Sequence, residues 1–445
     1  MQDSRLSPRA ADPSRRDFLR LSAALAAAGA VSTPRASRAA VKTTAHIVIA
    51  GGGAAGLTAA SRLAAALDGA KITLIEPRKE HWYQPGFTLL ANGIYQTGDV
   101  IRQTADFVAA GVEWIADGVA ELDPDANAVV TTGGRRLRYD FLVVALGCEL
   151  DYGAIEGMDV QLIGSHGIGS TYAGPDGAAA TFRASEAFVQ RGGTALFTKP
   201  ATPMKCAGAP IKAAFLTASR MANAGTRARG EVVYLADNDK LFAQPDTAAF
   251  VKRHFEANRI GYELSHVLTA IDPGRREATF RTPDGVKTRR YDYIHVVPAM
   301  RAPAPVRASR LAWQEGPMAA GGWLEVDKRT LQHRRHPNVF GIGDVNGTLA
   351  GKTAATVKKG APIAVDNLVA TIQGRAPAAS FDGYTSCPLI TEVGRAALIE
   401  FNDQFQLTPT VPLVDPLSSN WFAWSVKLYV LRPLYLQMLN GRILV

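Results

Sequence analysis

The chain has 445 residues, 47% of them hydrophobic, and a formal net charge of +9. That length suits two or three domains, and the composition suits an ordinary globular α/β protein. The Lys and Arg residues are scattered rather than clustered, which argues against nucleic acid and suits an anionic membrane face or a small anionic substrate.

The first 39 residues read as a twin-arginine signal peptide. Ser14-Arg15-Arg16-Asp17-Phe18-Leu19 precedes an apolar run from Leu21 to Val31, and Ser37-Arg38-Ala39 offers small residues where a signal peptidase cuts. The run is too short to span a bilayer, and no later stretch is long enough. Removing the leader takes away seven Arg and three Asp and leaves a mildly basic protein. Export by this route carries folded protein, which suits a domain that loads a cofactor before leaving the cytoplasm.

His46-Ile47-Val48-Ile49-Ala50 has the short apolar pattern of a buried parallel strand. Gly51-Gly52-Gly53-Ala54-Ala55-Gly56 and an alanine-rich helix to about Leu67 follow, then a strand from Lys71 to Ile75 that ends at Glu76. This order is a dinucleotide fingerprint in context. Gly51 permits the turn, Gly53 admits a pyrophosphate to the backbone amides, and Gly56 lets helix and strand pack closely. Glu76 stands where a carboxylate accepts hydrogen bonds from a ribose. Further strands are expected over Tyr139–Gly147, Thr194–Thr198, Glu231–Ala236, Arg289–Pro298 and Asn338–Val345, with a helix over Ala209–Met221. Where the second α/β unit would carry its own glycines, the sequence from Phe197 to Gly208 has prolines and bulky side chains. One dinucleotide site is therefore expected, which argues against a nicotinamide electron donor.

The three cysteines, Cys148, Cys206 and Cys387, are spaced for neither a zinc knuckle nor a disulfide scaffold, and no metal is expected. They stand in telling surroundings. Pro203-Met204-Lys205-Cys206-Ala207-Gly208-Ala209-Pro210, Asp382-Gly383-Tyr384-Thr385-Ser386-Cys387-Pro388-Leu389 and the run from Leu331 to Asp344 resemble sulfide:quinone oxidoreductases of the type II, mitochondrial-like kind. Gly51–Gly56 with Glu76, Ala145-Leu146-Gly147 and Gly341-Ile342-Gly343-Asp344 resemble the wider group of two-dinucleotide-domain flavoproteins. The resemblance runs from about residue 44 to the C-terminus. It implies an α/β fold of two Rossmann-like dinucleotide-binding domains (glutathione-reductase-like) plus C-terminal amphipathic helices. The implied layout is a first part of an FAD-binding domain over 44–160 and a second Rossmann-like domain over 161–300. The FAD-binding domain resumes over 301–385, and a redox-cysteine and membrane-anchor region covers 386–445.

The resemblance further implies that Gly51, Gly53, Gly56 and Glu76 hold the ADP half of FAD, and that Gly343 and Asp344 hold its ribityl–pyrophosphate region. Lys352 would stabilise negative charge on the reduced flavin; a solvated surface lysine is the plainer alternative. Cys206 and Cys387 would be the redox pair. Hydrosulfide would open a bridge between them and leave a persulfide on one sulfur. The electrons would pass through the flavin to a membrane quinone, and the sulfane sulfur to an acceptor. Lys205 and a following helix would lower the pKa of Cys206. Two departures stand out: the twin-arginine leader is not mitochondrial targeting, and Cys148 replaces an expected apolar residue. No role is assigned to His295 or His336.

Trp421, Trp424, Leu428, Leu431, Tyr435 and Met438 form an apolar stripe at helical spacing, flanked by Lys427, Arg432 and Arg442, with Pro433 dividing it into two short helices. Such elements lie in a membrane interface; packing against the protein's own core or a dimer partner accounts for the same stripe. The expected location is the periplasm, peripherally bound to the inner membrane. Rival readings are the flavoprotein subunit of a flavocytochrome c sulfide dehydrogenase, a type II NADH dehydrogenase, and a non-catalytic FAD-binding persulfide carrier or redox sensor.

Overall fold

The computed structural model describes residues 39–348, 350–411 and 414–442. The twin-arginine motif and its apolar run lie outside the described residues, as does most of the cleavage site. From the glycine-rich start, the chain runs through β1 (His46–Ala50), α1 (Ala54–Ala66), β2 (Lys71–Ile75), β3 (Val112–Ile115) and β4 (Phe141–Val144). It then crosses by β5 (Glu149–Asp151) into β6 (Ile168–Gly169), α2 (Gly174–Arg191), β7 (Gly193–Thr198) and α3 (Ala209–Asn223). Next come β8 (Gly230–Leu235), β9 (Gly261–Glu263) and β10 (Tyr293–His295), and the chain returns by β11 (Ala299–Arg301). The last elements are β12 (Val339–Gly341), α4 (Ala354–Ile372), the hairpin β13 (Thr385–Glu392) and β14 (Arg395–Phe401), α5 (Trp421–Ser425) and α6 (Leu431–Leu439).

Two five-stranded parallel sheets result. The first has the order β12-β4-β1-β2-β3 and the second β6-β10-β7-β8-β9. Ile47 to Ala50 are all buried, as a parallel strand covered on both faces requires. The two crossings pair with each other as an antiparallel ribbon, β5 with β11. Arg301 bonds Glu149 and Asp151 at 2.6 Å each across that ribbon, and Arg307 reaches Glu149 at 2.7 Å. The architecture is the α/β one that the sequence implies, with the strands falling where their apolar runs fall. In the first sheet the turn after β1, Glu76 after β2, Gly147 after β4 and Gly343-Asp344 after β12 share the carboxyl edge. Open α/β sheets bind ligands there.

The C-terminal stripe corrects an expectation. Phe422, Trp424, Tyr435, Met438 and Leu439 are buried in the same apolar cluster as Leu57, Leu63, Phe87 and Leu90. The stripe read as membrane-facing is therefore core. Polar bonds fix the docking: Ser61 Oγ donates to the Leu439 carbonyl (2.8 Å) and Tyr95 Oη to the Leu428 carbonyl (2.7 Å). His81 Nε2 meets Tyr435 Oη at 2.7 Å. A π-helical turn over Val426–Val430 joins α5 to α6 without a break, so Pro433, the third residue of α6, lies inside one helical run rather than dividing two helices. The outward apolar groups are Tyr429, 67% exposed, and Leu434, 46% exposed.

This packing generates a stability prediction. Trp424→Ala opens a cavity in the first core and is expected to cost about 3–5 kcal/mol in denaturant unfolding. A cost within error of zero would place α5 outside the core.

Candidate active site

Gly51 adopts φ +103°, and a Cβ there would sit 2.5 Å from the Ala145 carbonyl oxygen. A Cβ on Gly56 would lie 1.7 Å from the Gly51 oxygen, so α1 can approach the turn only with glycine there. A Cβ on Gly53 would meet nothing within 4 Å. Gly53 is also the N-cap of α1, with no side-chain cap and no acid in the first turn. The positive end of the helix thus faces open space without a counter-charge, a cradle fitted to a pyrophosphate. Glu76 is buried behind the turn. One carboxylate oxygen accepts from the Gly52 amide at 2.8 Å, and the other from the Arg78 amide (3.0 Å) and Nε (2.9 Å).

The second sheet treats the matching position differently. Asp237 follows β8 much as Glu76 follows β2, but Lys199, just past β7, forms an ion pair with it. Both acids are ion-paired, Glu76 with Arg78 and Asp237 with Lys199, but the second unit has a lysine where the first keeps a free-facing glycine turn.

Gly343 has φ +84°, and the loop it opens is held from inside. Lys352 Nζ donates to the carbonyls of Asp344 and Asn346, both at 2.7 Å, and lies 3.9 Å from the centre of the Trp323 ring. Burial pushes this amine down to about 8. Lys352 is thus neither a solvated surface lysine nor a free donor: its ammonium is spent on the loop that carries Asp344. Burial also raises the Asp344 carboxyl above its usual range, against the pull of Lys205 and Lys352.

Cys206 and Cys387 meet. They are thiols in side-chain hydrogen-bond contact, brought together by the loop before α3 and by strand β13. Glycine at 208 makes the approach feasible, since a Cβ there would lie 2.4 Å from Cys387 Sγ. Cys206 occupies the left-handed region, φ +48°, which a side chain with a Cβ adopts at a cost of about 1–3 kcal/mol. Surrounding bonds hold it there. Its N–H donates to the Lys352 carbonyl (2.9 Å), and its carbonyl accepts from the Ala209 amide (2.8 Å) and from Tyr172 Oη (3.1 Å).

Two lysines absent from the sequence reading of the site complete it. Lys212 on α3 is 3% exposed and its Nζ lies 3.4 Å from Cys206 Sγ. Lys427, on the π turn, is 2% exposed and donates to the Pro85 carbonyl at 2.7 Å. The hydrogen bond from Cys387 holds the Cys206 thiol well below its ordinary value; Lys212 and Lys427 add to this against the effect of burial. The same bond, and then burial, push Cys387 well above it. Burial opposes the charge on Lys212, yet attraction to the two sulfurs outweighs it and raises that amine. Lys427 is pushed down to about 7, by burial first and the Lys212 cation second.

Lys205 is not the cation that supports Cys206. Its Nζ turns away to Gln84 Oε1 at 2.9 Å. The available signal for the correct pair was in the sequence: Lys212 interrupts Ala209-Pro210-Ile211-Lys212-Ala213-Ala214-Phe215, and Lys427 interrupts the apolar stripe. A lysine alone among apolar residues on a helix is either snorkelling outward or buried with a purpose. Cys148 stays apart as a half-buried thiol within an apolar cluster, raised to about 11 by burial. His295 is buried, with Nε2 on the amide and hydroxyl of Thr171, and His336 is bonded through its amide to His333. Among the described residues no group of His, Cys, Asp and Glu is arranged to hold a metal.

Comparison with known proteins gives the family. Residues 45–183 match the pyridine nucleotide-disulphide oxidoreductase family, and residues 12–32 match the twin-arginine translocation signal. The mitochondrial sulfide:quinone oxidoreductase of Dictyostelium discoideum is 34% identical over 90% of this chain and 87% of its own. That of Mus musculus is 34% identical over 82% of this chain and 80% of its own. The crystal structure of sulfide:quinone oxidoreductase from Aquifex aeolicus shares the fold, with a TM-score of 0.71 at 21% identity, over 90% of this chain and 92% of that one. A chain this similar over this much of its length belongs to the sulfide:quinone oxidoreductases, a family of flavoprotein oxidoreductases.

Proposed function

We propose that this protein is an exported enzyme that binds FAD, oxidises sulfide at the Cys206–Cys387 pair and delivers the electrons to a membrane quinone. The observation that carries the reading is two thiols, distant in sequence, in contact beside two buried lysines. FAD would lie along the carboxyl edge of the first sheet, its pyrophosphate on Gly51, Gly53 and Gly56, its ribose at Glu76 and its ribityl end at Gly343 and Asp344. Lys352 would set the position of that last loop. Bound FAD supplies the two-electron acceptor for the reduced cysteine pair and the relay to quinone.

The cysteines supply the sulfur chemistry. Hydrosulfide attacks one sulfur of the bridged pair; the bond between the cysteines breaks, and a new S–S bond joins the incoming sulfur to the attacked residue. The other cysteine leaves as a thiolate. The sulfur with the lower pKa leaves faster, which makes Cys206 the leaving group and Cys387 the persulfide carrier. Lys212 receives the departing charge. A nucleophilic acceptor then takes the outer sulfur, which leaves Cys387 as a thiolate and the pair ready for reoxidation.

The twin-arginine signal supports a periplasmic location for the enzyme, and a quinone acceptor supports peripheral binding at the inner membrane. No helix among the described residues is long and apolar enough to cross a membrane. Tyr429 and Leu434 are the apolar groups that α6 and the preceding turn turn outward, and they are the proposed contacts with lipid.

Three outcomes are expected. Cys206→Ser and Cys387→Ser each abolish sulfide-dependent reduction of decylubiquinone, at least about 10³-fold, while the purified proteins remain yellow; near-normal turnover in both rejects the mechanism. Lys427 carries its proton below about pH 7 and loses it above, so its support for the Cys206 thiolate fades as the pH rises through 7. The wild-type rate is expected to fall on that side. Lys427→Met should be slower by about tenfold and lack that limb; an unchanged profile removes Lys427 from the chemistry. Tyr429→Ser with Leu434→Ser should weaken pelleting with anionic liposomes by about tenfold or more, and unchanged pelleting means that lipid contacts another face.

A further inference from the structure

We propose that Tyr172 is a positioning residue for the thiol pair: its hydroxyl fixes the left-handed peptide of Cys206 that aims the sulfur at Cys387. This role rests on the thiol-pair reading above.

Cys206 is one of the few non-glycine residues with positive φ, and its value of +48° sets the direction of its Cα–Cβ bond. In the ordinary right-handed region that bond would point elsewhere, and Sγ would leave Cys387 and Lys212. Something must therefore oppose the relaxation. The Ala209 amide that bonds the Cys206 carbonyl is three residues on, at the first position of α3, and holds the loop only to the helix that continues it. The Lys352 carbonyl restrains only the Cys206 N–H. Among the described residues, Tyr172 is what ties the Cys206 carbonyl to a segment that is not contiguous with its own loop and helix, through a bond of 3.1 Å from its hydroxyl.

Tyr172 is well placed to resist. Its ring is buried, and the segment before it is pinned to the second sheet. The amide and the hydroxyl of Thr171 meet Nε2 of His295, which is fully buried on β10. Ser170 exchanges bonds with Thr181 Oγ1 on α2, at 2.8 Å to its amide and 3.0 Å to its carbonyl. The order of restraint is thus His295 to Thr171, its neighbour Tyr172, and then the Cys206 carbonyl. His295 finds its use here as an anchor. Burial also keeps the Tyr172 phenol protonated and able to donate, well above the ordinary tyrosine range.

The test uses the full FAD-loaded protein equilibrated in glutathione redox buffers, with bridged and free cysteines counted by differential alkylation and mass spectrometry. Tyr172→Phe keeps the ring and loses the donor. It is expected to lower the bridging equilibrium about 3- to 10-fold, the range of one net hydrogen bond. The pH midpoint of Cys206 alkylation should rise, with FAD content and melting temperature unchanged. Replacing Tyr172 by p-aminophenylalanine returns a donor and should restore bridging. Thr171→Val removes the hydroxyl bond to His295 and leaves only the longer amide bond, without altering the tyrosine, and should weaken bridging in the same direction, which decides the matter should the Phe variant fail to fold. Bridging and alkylation profiles like the wild type in both Tyr172→Phe and Thr171→Val overturn the role, while leaving the thiol pair intact. A wild-type pair that never bridges in any buffer overturns the thiol-pair reading and this role with it.

Discussion

A thiol pair buried against the Lys212 ammonium, with Lys427 near neutrality in the same field, is the constraint around which the site is organised. Removing a cation from water costs several kcal/mol unless a partner repays it. Around Lys212 the compensating charge comes from the sulfurs, with no carboxylate among the groups that raise its pKa. The charge balance therefore depends on the state of the cysteines. With a thiolate at Cys206, Lys212 has its counter-ion. With the two sulfurs bridged and neutral, the same buried site holds unpaired positive charge and favours an entering anion. On the proposed chemistry, the hydrosulfide that attacks the bridge is such an anion, and the thiolate it releases restores the pairing. Lys427, already close to neutrality, adjusts the total by gaining or losing one proton.

The fold serves this balance by bringing three distant segments to one place. The loop before α3 supplies Cys206 and Gly208, α3 itself supplies Lys212, the hairpin of β13 and β14 supplies Cys387, and the π turn near the C-terminus supplies Lys427. Two of them have local peculiarities that ordinary secondary structure would not tolerate: the loop has a left-handed cysteine and a glycine with a sulfur against it, and the C-terminal segment has a widened helical turn. Such strain persists only where surrounding contacts over-determine it, and it gathers at functional sites. The parallel sheets, by contrast, are regular throughout, and they provide the rigid edge against which the irregular segments are set.

How much was legible follows from the range of each interaction. Strand β1, its glycine turn, α1 and Glu76 are contiguous, so one stretch of sequence holds the whole device, and the structure places each residue as read. The meeting of Cys206 and Cys387 was legible only through resemblance, because no periodicity links residues 181 positions apart. Lys205 was chosen as the supporting cation for being adjacent in sequence. Adjacent residues on a loop need not face the same way, and Lys205 turns to Gln84 instead. Lys212, one helical turn beyond Gly208, does face the thiol. Tyr172 gave no signal at all, since its bond is to a backbone carbonyl and depends on the placement of a separate sheet.

The C-terminal stripe failed for a different reason. Periodicity reports that one face of a helix is apolar, and it is silent on whether protein or lipid covers that face. Here Trp424, Tyr435 and Met438 turn inward, while Tyr429 projects outward two residues from Lys427. The same short turn thus presents a ring to the outside and an ammonium to the thiols. With about 3.6 residues per turn, positions two apart on a helix lie on nearly opposite sides of its axis, which lets residues so close in sequence serve opposite sides. A shift of this turn against the core would move both groups together. It would draw the Lys427 amine from the Pro85 carbonyl and take a cation away from Cys206. The segment proposed to meet the membrane is therefore part of the electrostatics of the sulfur site, and its docking on the core is a condition for the chemistry as well as for the fold.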